Sequence, residues 1–149
     1  DLHKEFRRQR QMCIRARLHS LGVVKDPLPR MVAAQSTGCA PVVKAFQDLS
    51  KTTDFFEDSY TMALGLNVPG PLGGHWILDI LYDSNGIALD VPEKNLIKLT
   101  EEFNQLTLIN SGPEAGVVWG AYNTLKDIGW ILRDESVVLF ATGIERCKL

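Results

Sequence analysis

Apolar positions along this chain follow two rhythms, and their alternation predicts an architecture. In "PEKNLIKLTEEFNQ", residues 92–105, Leu96, Leu99 and Phe103 recur at helical spacing, while Glu93, Glu101 and Glu102 mark the polar side. In residues 113–128, Ala115, Val118, Tyr122, Leu125 and Ile128 share one helical face. Ser111-Gly112-Pro113 supplies that helix with a capping hydroxyl, a turn glycine and a proline near its first position. "GHWILDILYDS", residues 74–84, predicts a helix stopped by Asn85-Gly86. "APVVKAFQDL" predicts one opened by Pro41, whose missing N–H costs little in a first turn. Short apolar runs of strand character lie between the helices: "RMVAAQS" at 30–36, "IALDV", "LTLIN", and residues 137–141 within "ESVVLFATGIERCKL". Residues 51–72 are the least regular part, where "TMALGLNVPGPLGG" predicts a short strand and then a Pro/Gly-rich turn. A continuous apolar run suits a strand covered on both faces of a parallel sheet. The whole predicts one α/β domain over residues 1–149, a mainly parallel sheet flanked by helices, without repeats or low-complexity segments.

The last apolar run stops at Thr142-Gly143. Ligands of open α/β sheets bind beyond the carboxyl ends of the strands, so Thr142 either meets a ligand or simply ends a strand before a turn. Gln35 and Ser36 stand at the carboxyl end of the 30–36 strand, where the chain enters its turn, and are candidates for substrate contact. Gly116 and Gly120 sit inside the 113–128 helix, where each glycine costs about 1 kcal/mol relative to alanine. Something approaches that helix closely, either the sheet or a ligand.

Composition narrows the picture. With 149 residues, 45% apolar and 23% charged, the chain can bury a core, and its net charge of −2 offers no general field for nucleic acid. No apolar run approaches the roughly 20 residues that span a bilayer, and "DLHKEFRRQR" is too charged for a secretory signal. A cytoplasmic location without membrane contact is expected. Cys13, Cys39 and Cys147, like His3, His19 and His75, are scattered, with neither a disulfide framework nor metal-ligand spacing. Residues 2–20 predict a helix capped at Gly22. Its Lys4, Arg7, Arg8, Arg10, Arg15 and Arg17 read as a solvated face over a thin apolar stripe. Aromatics do not alternate with the arginines as single-strand binding requires.

Three segments, taken together and in order, resemble the threonine synthase family. "LPRMVAAQSTGCAPVVKAF" is similar to a family stretch in which a Pro-Arg-Met strand leads to a Gln, a Gly and an Ala-Pro helix start. "SGPEAGVVWGAYNTLKDIGWILRDESVVLF" is similar to the family's Pro-Glu-Gly-Ala helix and following Asp-Glu-x-Val-Val strand, and "ATGIERCKL" resembles its terminal Thr-Gly-x-Gly-Leu-Lys. The resemblance covers residues 28 to 149. It implies the C-terminal part of a fold type II pyridoxal-phosphate enzyme (tryptophan synthase beta-like), whose parent is a lyase of threonine biosynthesis converting O-phosphohomoserine to threonine. It also implies cofactor contacts: Thr142 facing the pyridine nitrogen of pyridoxal 5'-phosphate, Gly143 letting the backbone pass close to the ring, and Glu114 near the pocket. A neutral hydroxyl bonds the ring nitrogen without stabilising its protonated form. Glu114 also suits a first helical turn on electrostatic grounds alone.

The departures are equally specific. The family's Schiff-base lysine lies in an early Ser-x-Lys-Asp-Arg-like motif, and none of the eight lysines here has that context. The glycine-rich phosphate loop is expected upstream of the first helix, and the second glycine of the terminal motif is missing. The chain is therefore expected to be inactive alone, with no catalytic residue and no metal of its own. Its expected partners are an amino-acid substrate and the N-terminal half of the enzyme, with homo-oligomerisation left open. A threonine dehydratase or cysteate synthase type of enzyme, or a non-catalytic α/β module for binding or oligomer contacts, are the alternatives.

Overall fold

The computed structural model describes residues 17–144. Its centre is a pair of strands, β1 (Val32–Ser36) and β2 (Ile87–Val91), paired in parallel with Val32 opposite Ile87 and Ser36 opposite Val91. Among the described residues, four full α-helices lie around them: α1 (Pro41–Gln47), α2 (Gly74–Asp83), α3 (Leu96–Thr107) and α4 (Pro113–Asp127). Neighbouring residues of a strand point to opposite faces, and both faces are covered. Ala33 and Ala88 are register partners, and both join a core of Val42, Val43, Leu78 and Leu81 from α1 and α2. Ala34, Leu89 and Val91 join the opposite core, with Leu96 from α3 and Val117 and Ala121 from α4. The result is a small parallel sheet between two helical layers, an α/β arrangement.

The helix starts follow the sequence, but the buried face of α4 differs from the expected one. Val117 and Ala121 are buried with Ala115 and Leu125, while Val118 and Tyr122 are half-buried and Ile128, past the helix end, is exposed. Pro41 opens α1 and Pro113 opens α4. Asn85, at φ 50°, and not Gly86, takes the left-handed position after α2. The 92–105 pattern splits into a 3₁₀ turn, Glu93–Asn95, followed by α3. Gly22, at φ 69°, closes the helical residues 17–20, with the amides of Gly22 and Val23 bonded back to His19 and Leu18. The rest of the segment expected to be a basic helix, with Lys4, Arg7, Arg8, Arg10 and Arg15, lies outside the described residues. Among the described residues no helix is long and apolar enough to cross a membrane.

Three predicted strands do not form. "LTLIN" begins as the last turn of α3 and leaves it through Leu108, left-handed at φ 57°. The run in "TMALGL" makes a 3₁₀ turn, Leu64–Leu66, instead of extending along a neighbour. Residues 137–141 pair with nothing among the described residues, and Val138 is 76% exposed. A helix satisfies its backbone internally, whereas a strand needs a neighbour. Here the two-stranded pair does not extend to receive these segments.

The glycines of α4 are explained by packing. A Cβ on Gly116 would stand 2.7 Å from the Leu96 carbonyl oxygen, and one on Gly120 2.8 Å from both Leu99 Cδ1 and Val91 Cγ1. Side chains there would push α4 off α3 and β2. Beyond α4 the chain turns through Gly129 (φ 73°) and is tied to the start of β1. Arg30 reaches both carboxylate oxygens of Glu135, at 2.8 and 2.7 Å, and the Trp130 carbonyl at 2.9 Å. Its guanidinium lies 3.7 Å from the centre of the Trp130 ring. The Leu132 amide, then Arg30, hold the Glu135 carboxyl below its usual range, against an opposing effect of desolvation.

Candidate functional site

Proline 113 and the sequence before it fix where α4 begins, and that start is the centre of the candidate site. Gly112 takes the cap position in an extended conformation, and no side chain caps the helix. Glu114 occupies the first turn, where a carboxylate is favoured by the helix dipole. Its Oε1 accepts the amide of Gly65 at 2.9 Å. Its Oε2 faces Gly112 and Gly143 so closely that a side chain at either position would collide with it. The Gly112 amide donates to the Gly143 carbonyl at 3.2 Å, and Ser111 and Ile144 form an isolated antiparallel bridge. Three glycines from separate parts of the chain therefore enclose one carboxylate.

The carboxyl ends of the two strands form the second half. Gln35 Oε1 accepts the amides of Val42 and Val43, at 2.9 and 3.1 Å, and so caps the start of α1. The Ser36 hydroxyl donates to Glu93 Oε1 and accepts the Gly38 amide at 3.1 Å. Glu93 Oε2 accepts the Met62 amide at 3.3 Å, and the Glu93 amide donates to Thr37 Oγ1 at 3.2 Å. The residues after Met62 lead directly to Gly65. The strand ends and the Glu114 enclosure are thus joined by one short stretch, residues 61–66.

Of the five residues singled out by sequence, Glu114 and Gly143 meet. Thr142 adjoins them, solvent-exposed, its hydroxyl without a hydrogen-bond partner among the described residues. It does not stand at the tip of a strand, because residues 137–141 form none. Gln35 and Ser36 lie at the end of β1 with their oxygens engaged by the chain itself, so a substrate contact there would have to displace or supplement those bonds. Sequence reasoning missed Gly65, Gly112 and Glu93. The periodicity of residues 92–105 puts Glu93 on a polar helix face, but its carboxylate turns inward to the strand ends. The one available signal for Gly65 was a glycine within an apolar run, which marks a close backbone approach as readily as a turn.

Two buried polar atoms are without partners among the described residues, Ser111 Oγ and Asn67 Oδ1, each close in sequence to a glycine of the enclosure. Among the described residues no group of three or more His, Cys, Asp or Glu could hold a metal ion. A shallow depression bounded by Lys44, Asp48, Ser50 and Phe55 lies beside α1 and shares no residue with the Glu114 enclosure. The donor set at the enclosure is a free neutral hydroxyl, a bare backbone beside it, and a carboxylate already bound by an amide. A neutral hydroxyl of this kind can donate to an uncharged, hydrogen-bond-accepting ring atom.

No family model matches the chain. Among curated proteins it is similar to a threonine synthase of Methanosarcina acetivorans, with 28% identity over 120 residues, 80% of this chain and 30% of that protein. A threonine synthase of Methanocaldococcus jannaschii is 27% identical over 118 residues, 79% of this chain and 29% of its own length. A cysteate synthase of Methanococcoides burtonii is 27% identical over 127 residues, 85% of the chain and 30% of that protein. The chain is threonine synthase-like, and it spans about 30% of the length of these relatives.

Proposed function

We propose that this threonine synthase-like chain supplies the ring-nitrogen side of a pyridoxal 5'-phosphate site in a fold type II lyase, with O-phosphohomoserine as substrate and threonine as product. The observation that carries the reading is the meeting of Glu114 and Gly143, 29 positions apart in sequence, beside the free hydroxyl of Thr142. Bound pyridoxal phosphate would supply the electron sink for breaking bonds next to the amino-acid nitrogen. Thr142 would hold the ring nitrogen by a hydrogen bond, and Gly143 would admit the ring next to the backbone. Glu114, held by the Gly65 amide, keeps Gly143 and Gly112 in place rather than offering a charge to the ring. A neutral hydroxyl there leaves the nitrogen unprotonated and moderates the sink. Gln35 and Ser36 shape the turn at the end of β1, on the side where such sheets receive substrate.

The exposed apolar residues Val137, Val138 and Phe140 support a further part of the reading: this segment becomes a strand when the rest of a complete enzyme lies alongside it. The Schiff-base lysine and the phosphate loop would come from that remainder, and the chain alone would be inactive. Joining this chain to the part of the Methanosarcina acetivorans threonine synthase that it does not match tests the reading. The expected result is a visible absorbance band with bound pyridoxal phosphate and threonine formation from O-phosphohomoserine, both weakened by Thr142→Val. A well-folded fusion with no band and no product would overturn it. A band with cysteate as the product would keep the cofactor site and change the substrate.

A further inference from the structure

Glu93 and Glu114 grip the same short stretch of chain from opposite ends. Glu93 Oε2 takes the amide of Met62, and Glu114 Oε1 takes the amide of Gly65 three residues later. Between them the backbone has no freedom to slide. Thr61 and Ala63 are buried, the Ala63 amide is bonded to Thr61 Oγ1 at 3.1 Å, and Leu66 closes the turn onto the Ala63 carbonyl at 2.8 Å. Met62, Ala63 and Leu66 are wedged against Val91, Leu96 and Val117. Glu93 itself is fixed on two sides, by the Ser36 hydroxyl on Oε1 and by Thr37 Oγ1 on its amide.

We propose that Glu93 is a positioning residue for Glu114, acting through the rigid 62–65 turn. The register of the parallel strands sets Ser36 and Thr37, these set Glu93, and Glu93 sets Met62. The turn then presents the Gly65 amide at the one place where it holds the Glu114 carboxylate against Gly112 and Gly143. Apolar burial of Ala63 alone would anchor the turn but would leave its rotation about the buried side chain free. The Met62 bond removes that freedom. In a complete enzyme the consequence would be the placement of Gly143 and Thr142. The inference itself stands on contacts within this chain, so it can hold or fail separately from the cofactor reading.

Amide hydrogen exchange on the full 149-residue chain tests it, followed residue by residue by NMR. In Glu93→Ala, exchange at Met62 and at Gly65 should both rise about tenfold, on the scale of one lost hydrogen bond to a charged group, with Leu78 and Leu81 unchanged. Glu93→Gln retains a carbonyl acceptor for Met62 and should bring Gly65 back to within about threefold of the parent. Coupling is reciprocal, so Glu114→Ala should also raise exchange at Met62, and the double variant should fall short of the summed effects. Faster exchange at Met62 with Gly65 unchanged would overturn the proposal. Should Glu93→Ala unfold the chain, Ser36→Ala decides, since it loosens Glu93 without removing it: a Gly65 rise supports the relay, and an unchanged Gly65 refutes it.

Discussion

Helix α4 and the segment 136–143 that follows it are both rich in apolar residues, and the sequence pattern puts both in the same interior. In the structure they differ completely. Leu125 of α4 is 1% exposed, whereas Val138 is 76% exposed and lies in no strand. The difference lies in where each finds its hydrogen bonds. A helix closes its backbone bonds within four residues, so its side chains need only a surface to pack on. α4 finds that surface on α3 and β2. A strand has no internal bonds, and its apolar side chains are buried only after a neighbouring strand has come alongside. Of the five expected strands, the two that form are those that find each other.

Truncation of Leu125 should therefore be the most damaging change on the α4 side. Leu125→Ala leaves a cavity at the end of the helix, where the amides of Trp130 and Ile131 turn back to the carbonyl of the same residue. The expected loss is about 2–5 kcal/mol, read from urea unfolding followed by circular dichroism. A loss below about 1 kcal/mol would mean that α4 is not packed on α3 and β2 as the burial of Leu125 requires.

Overfilling the same helix should come next. Gly120→Val would drive a side chain into Leu99 and Val91, at an expected cost of about 1–3 kcal/mol. Asn123, partly exposed on the same helix, supplies the control. Asn123→Val places the same β-branched side chain in α4 and should shift stability by no more than about 0.5 kcal/mol. Equal losses at the two positions would show that the cost comes from valine in a helix and not from close approach.

The same distinction decides how much of the fold was legible in the sequence. The helix starts at Pro41 and Pro113 were legible because proline and the residues around it act within one turn. The left-handed exit at Gly22 was legible for the same reason, while Asn85 took a role that either it or Gly86 could have filled. At the candidate site, Glu114 and Gly143 were singled out through a family resemblance and do meet. Their companions Gly65 and Gly112, and the inward turn of Glu93, depend on contacts between distant segments. No periodicity records that Gly65 must come within bonding distance of a carboxylate 49 positions away.

A weaker effect should appear where the two regions join, at the bracket of Arg30, Trp130 and Glu135. The Glu135 carboxyl is held below the usual glutamate range in the folded chain, first by the Leu132 amide and then by Arg30. A lowered folded value means that the group favours the folded form fully above its ordinary range. That contribution is lost as pH falls through the lowered value. The indole N–H resonance of Trp130 should therefore stay constant from neutral pH down through the ordinary glutamate range and move only below it. In Glu135→Gln the movement should disappear. A Trp130 transition of equal size in that variant would separate the bracket from Glu135.

The smallest effect should be at Val138, and it tests the exposed side of the comparison directly. In the chain as it stands, the side chain is mostly in water and the backbone around it bonds to no neighbouring strand among the described residues. Val138→Ser therefore removes little burial and should change stability by less than about 0.5 kcal/mol. Under the proposed function, the same substitution in the fusion with the unmatched part of the Methanosarcina acetivorans threonine synthase should cost several times more, because a valine covered by a neighbouring strand contributes roughly 1.5–3 kcal/mol of burial. Urea unfolding of both forms measures the ratio. A large loss in the chain alone would mean that residues 137–141 already find a strand partner in solution, through a second copy if the loss depends on concentration. Equal small losses in both forms would mean that this apolar run does not become an interior strand in the fusion either, against the proposed function.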